Sequence, residues 1–153
     1  MELWELVARE RIRDTLARYN WSGDSLRLDE LAQSFCEDGE LELRGNEPVR
    51  GRAAIVELLG GVVATPNATA QNSGAKRIVR HNVTNIRFTD VAPAEVRVAC
   101  YFTVVTEIGL DHYGRYRDVF VPVAGPVGTD GLIRHRFVST DWSSPDSTMA
   151  KTH

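Results

Sequence analysis

The chain has 153 residues, of which 42% are hydrophobic and 25% charged. That suits one domain with a core and a ligand-sized cavity, and excludes a disordered chain or a repeat fibre. A formal charge of −3 argues against a nucleic-acid surface, which needs clustered Lys and Arg in net excess.

Residues 3–20 read as an amphipathic helix, with Trp4, Ala8, Ile12, Leu16 and Tyr19 at helical spacing and Gly23 as its break. A short second helix fits Leu28, Leu31, Ala32 and Phe35, with Asp29 and Glu30 in its first turn. Leu41 and Leu43 alternate with Glu40, Glu42 and Arg44, which predicts a short strand ending at Gly45-Asn46. A third helix is expected from Arg52 to Leu59, stopping at Gly60-Gly61. Residues 64–75 read as a long loop of the kind that forms lids or flexible connections.

From residue 76 onward the texture is that of strands, expected at 77–89, 95–107, about 113–124 and 131–142. Turns are marked by Asp90, Pro93 and Ala94, then by Gly109, then by Gly125-Pro126, Gly128 and Asp130-Gly131. Consecutive strands with short turns make an antiparallel meander. Helices first and strands after make an α+β domain over residues 1–142, followed by a polar tail, 143–153.

The first of these strands contains a polar ladder, Arg80-His81-Asn82-Val83-Thr84-Asn85. Successive side chains alternate faces, so His81, Val83 and Asn85 look one way and Arg80, Asn82 and Thr84 the other. Either face carries polar groups into the protein, which is costly without partners. Part of that face is therefore expected to line a wet pocket, shared with Asp24 after the first helix.

Asp24 in an apolar pocket would be suited to act as a base or proton shuttle, or it could cap the second helix or form an Asx turn. His81 has the side chain that titrates near neutrality and could be held in one tautomer by Asp24; the alternative is a core histidine bonded to a carbonyl. Tyr19, Trp21 and Phe35 are either pocket lining or plain core. Tyr116 and Asp118 share one strand face, and a buried Asp118 would need a partner such as Arg136. Cys36 and Cys100 are too few for a disulfide framework, and Cys100 reads as a buried free thiol. His81, His112 and His135 match no local metal-ligand motif, and no phosphate loop or nucleophile elbow is present. Neither metal nor cofactor is expected. No stretch nears the roughly 20 apolar residues of a membrane span, and the acidic amphipathic start is unlike a signal peptide, so a cytoplasmic location is expected.

In order and spacing these features resemble the SnoaL-like branch of the nuclear transport factor two-like superfamily. The resemblance rests on Tyr19…Asp24, Glu37-Asp38-Gly39, Gly51, the ladder 80–85, Gly114-Arg115-Tyr116-Arg117-Asp118 and Asp141-Trp142. It implies a cone-shaped α+β fold, a curved and mostly antiparallel sheet packed on three N-terminal helices around a deep pocket, commonly in a homodimer. It also implies a cofactor-independent lyase, isomerase or cyclase of the dehydratase or polyketide-cyclase type, working by proton transfer on a small apolar or aromatic oxygenated molecule of secondary metabolism. The family includes non-catalytic binding modules and dioxygenase β subunits, which stand as the alternative.

On the dehydratase pattern Asp24 and His81 would be catalytic, and the candidate set adds Tyr19, which could donate to a substrate carbonyl, and His112. Counted back from Asp118, the second histidine of that pattern falls nearer Arg115, so His112 serves only through a register shift or bulge. Gly23 stands where the pattern has a tyrosine. Substrate would meet Trp21, Phe35, Val83, Asn85, Tyr101 and Tyr116.

Overall fold

A computed structural model describes residues 1–64, 78–121 and 131–149. Helix α1 spans Leu3–Asp24 and buries Ala8, Ile12, Leu16 and Tyr19. Gly23 does not end it. A Cβ there would meet Leu31 Cδ1 at 3.0 Å, so this glycine lets the next helix approach closely. The stop comes at Leu26, in the left-handed region with φ 60°. The Arg27 N–H donates to the Ser22 carbonyl at 2.9 Å and the Leu26 N–H to that of Gly23 at 3.0 Å, a Schellman closure. Asp24 is thereby the last helical residue and not part of the loop.

Helix α2, Leu28–Ala32, is shorter than its apolar spacing suggests, because Phe35 opens strand β1, Phe35–Leu43. The Arg52 guanidinium fixes that changeover with bonds of 3.1 and 2.7 Å to the Phe35 carbonyl. Strand β2, Val49–Arg50, leads through Gly51 (φ 92°) into α3, Arg52–Ala64. This helix continues through Gly60-Gly61, where a stop was expected. Its Ile55, Leu58 and Leu59 pack on the core, and that tertiary burial outweighs the glycines' poor helix propensity.

Four long strands follow: β3, Arg80–Val91; β4, Val96–Thr106; β5, Gly109–Val121; and β6, Leu132–Ser143. They form the expected antiparallel meander, and β1 joins parallel to β6. The order β2-β1-β6-β5-β4-β3 makes one mostly antiparallel, curved sheet that stays open, with the three helices against it. The expected α+β cone is therefore present, with its barrel unclosed. Apart from Ala64, the loop expected at 64–75 lies outside the described residues, as does the Gly125-Pro126 turn.

Bulges decide which residues face inward. Thr84 pairs with Tyr101 and Arg87 with Ala99, so Asn85 and Ile86 oppose a single residue. Asn85 takes φ 54° at this bulge, and the inward phase passes from His81 and Val83 to Ile86 and Phe88. On β5, Leu110 pairs with Val105 and His112 with Val104, leaving Asp111 as an inserted residue. Asp111 and His112 are consequently both buried although adjacent in a strand.

The core gathers α1, β1 and the inward residues of β4, Val96, Val98, Cys100, Phe102 and Val104. Cys100 is a buried free thiol whose pKa burial pushes up to about 12. Asp118 and Arg136 form the buried pair their facing positions suggested, with bonds of 2.8 and 2.9 Å. The guanidinium is sandwiched between the rings of Tyr19 and Tyr116, at 4.2 and 4.0 Å. On β5, Gly114 is required by close approach, since a Cβ there would sit 2.0 Å from the Ser139 carbonyl oxygen.

Candidate active site

Between the helices and the concave sheet face lies a cavity of about 740 Å³. Its walls are mostly apolar, with Leu31, Leu43, Leu59, Phe102 and Val138 among them. The polar groups converge from two sides.

On one side α1 ends and β3 begins. Asp24 accepts from the His81 backbone N–H through Oδ2 at 2.9 Å, and its Oδ1 lies 2.6 Å from His81 Nδ1. A carboxylate at a helix C-terminus opposes the helix dipole by a few tenths to about 1 kcal/mol, which the two bonds to His81 offset. The Asp24 carboxylate does not cap α2, whose N-cap position, Arg27, has no side-chain cap bond. Both Asp24 and His81 line the cavity.

On the other side the β5 bulge sets a second pair. His112 Nδ1 lies 2.7 Å from Asp111 Oδ1, and His112 lines the cavity. Burial alone would raise the Asp111 pKa. Hydrogen bonds from Ser147, His112 and Thr106 outweigh it and hold the carboxyl below its ordinary value. The two imidazoles stand edge to face, centroids 6.4 Å apart and planes at 87°, with the Phe102 ring within 6.4 Å of both. A carboxylate on Nδ1 fixes the proton there in the neutral ring and makes Nε2 the basic nitrogen. Arg115, the position reached by counting, is on the outer face in a two-bond pair with Asp141, each bond 3.1 Å.

Tyr19 and Tyr116 also line the cavity. Burial raises the pKa of both phenols, and Tyr116 donates to Asn20 Oδ1 at 3.4 Å. The other expected substrate contacts lie elsewhere. Trp21 is 73% exposed on the outer side of α1, and Phe35 is wholly buried in the core. Tyr101 is 53% exposed because odd positions of β4 face outward. Val83 packs against the core, and Asn85 is turned to solvent by its bulge. Sequence reasoning missed Asp111, Asn20 and Met149. Asp111 was legible only as the residue before His112.

The SnoaL-like domain family matches residues 4–131, most of the chain. The protein belongs to the SnoaL-like domain family. Solved structures share this SnoaL-like fold. A protein from Catenulispora acidiphila is 25% identical, with TM-score 0.68 over 89% of this chain and 93% of that one. A candidate scytalone dehydratase from Novosphingobium aromaticivorans is 23% identical, with TM-score 0.74 over 99% and 96%. ActVI-ORFA from Streptomyces coelicolor is 19% identical, with TM-score 0.66 over 87% and 96%. No curated protein matches the chain. The fold is thus shared with a protein described as a candidate dehydratase. Among the described residues no helix is long and apolar enough to cross a membrane.

Proposed function

We propose that this SnoaL-like protein is a cofactor-independent lyase, isomerase or cyclase that moves protons on a small apolar or aromatic oxygenated substrate. The observation that carries this reading is the facing pair of dyads, Asp24–His81 and Asp111–His112, in one mostly apolar cavity. Two histidines oriented by carboxylates can take a proton at one atom and deliver one at another. In a dehydration, His81 Nε2 removes the proton next to a carbonyl. The electron pair becomes the new C=C bond as the β-hydroxyl leaves as water, protonated by His112, which enters the step as imidazolium beside Asp111 and ends it neutral. Isomerisation returns the proton to another carbon of the same conjugated system. Tyr19, which lines the cavity and whose phenol burial keeps neutral, is the group this reading has donate to the oxyanion. The same reading takes the protein as a cytoplasmic homodimer.

A non-catalytic binding module would need apolar lining but not two oriented bases. The test is a turnover screen against hydroxylated aromatic and polyketide-type ketones, followed by His81→Ala on the best substrate. Loss on the order of 10² to 10⁴ in turnover, with an unchanged circular dichroism spectrum, is expected. An active His81→Ala protein overturns the role.

A further inference from the structure

The second carboxylate is held by more than its histidine. Thr106, at the end of β4, donates Oγ1 to Asp111 Oδ2 at 3.1 Å. Ser147, beyond β6, donates Oγ to Asp111 Oδ1 at 2.6 Å, the same oxygen that meets His112. The backbone is tied at this point too, since the Ser144 N–H reaches the Asp111 carbonyl at 2.7 Å. Ser147 also accepts, from the Met149 N–H at 3.2 Å, and Met149 lines the cavity.

A carboxylate turns easily about its last torsion, which is broad and roughly two-fold. Here each oxygen is pinned by a hydroxyl from a different segment, Thr106 and Ser147. Removing the Ser147 hydroxyl leaves Oδ2 on Thr106 and Oδ1 on His112 alone, which loosens the Asp111 plane and weakens its hold on the Nδ1–H tautomer. Among the groups facing His112 are Asp111, Phe102 from β4, and His81 with Asp24 behind it.

We infer that Ser147 is a positioning residue for His112, and that it ties the tautomer of the second dyad to the seating of residues 144–149. The inference rests on the proton-transfer reading of the cavity. Its chemical content is a relay from the Met149 N–H through Ser147 Oγ and Asp111 Oδ1 to His112 Nδ1. A ligand that shifts Met149 at the cavity wall pulls on that hydroxyl. The setting of the second dyad therefore depends on the seating of residues 144–149.

The tautomer is read directly, without substrate, from long-range proton–nitrogen correlation spectra of the full-length protein at a pH where the imidazoles are neutral. In the wild type His112 is expected as the Nδ1–H form. Ser147→Ala lowers its Nδ1–H to Nε2–H ratio by about threefold or more, as loss of a hydroxyl–carboxylate bond implies. His81 keeps its wild-type nitrogen shifts, and Ser147→Thr restores those of His112. Met149→Ala, which removes the cavity contact and leaves the backbone N–H, keeps the wild-type tautomer. An unchanged His112 in Ser147→Ala, or an equal change at His81, overturns the inference. If His112 responds as stated while His81→Ala leaves turnover intact, the proton-transfer reading fails and the positioning stands.

Discussion

His81 and His112 face each other across 6.4 Å at nearly a right angle, each with its own carboxylate behind it. The strands that carry them are not neighbours, because β4 lies between β3 and β5. Strand curvature and the intervening Phe102 therefore set the separation, and no local motif encodes it.

Asp24 both orients His81 and joins the end of α1 to the start of β3. Asp24→Asn keeps an acceptor for the backbone N–H but offers an amide donor to Nδ1, which forces the other tautomer. Turnover is expected to fall on the order of 10²-fold or more, as for a misplaced general base. Stability falls by only about 1–2 kcal/mol, since one charge-assisted bond is weakened. Steady-state kinetics beside urea denaturation separates the two effects.

Arg136 is fully buried between two phenol rings and depends on Asp118 for its counter-charge. Asp118→Asn strands that charge and is expected to cost about 3–5 kcal/mol. Replacing both partners with apolar residues of similar size is expected to cost much less. Denaturation midpoints of the single and double variants test this.

Burial raises the pKa of Tyr19 and Tyr116, against the lowering effect of the Arg136 guanidinium. The unfolded chain therefore releases these protons first. The stability they confer is fully present below the ordinary tyrosine value of about 10 and is lost as pH rises beyond it. Phenolate absorbance from these two residues is expected to appear together with loss of tertiary signal. Removing either phenol by Tyr→Phe softens the alkaline transition.

The helices-then-meander order was legible because each strand carries a plain alternation and each turn its Gly, Pro or Asp. Asp24 and His81 were legible too, one ending a helix and the other opening a strand with an unusual polar face. What escaped was phase. Tyr101 looks like a pocket aromatic until its odd position on β4 is known, and Asn85 looks inward until its bulge turns it out. Phe35 was expected to close a helix, but a guanidinium reaching its carbonyl converts that position into the start of a strand. His112 was expected to need a shift or bulge to reach the pocket, yet the β4–β5 ladder runs unbroken from His112 to Asp118 and puts both on the inward face, while the bulge, at Asp111, adds the carboxylate beside it.

That insertion gives the fold an inexpensive route between chemistries. Without Asp111 the β5 ladder could run unbroken, the rest of the strand keeping its partners while His112 lost its carboxylate. A cone with two carboxylate-backed histidines and a cone with one thus stand a single codon apart, and neither requires the scaffold to be rebuilt. The length of this one strand therefore decides whether His112 keeps a carboxylate at its Nδ1.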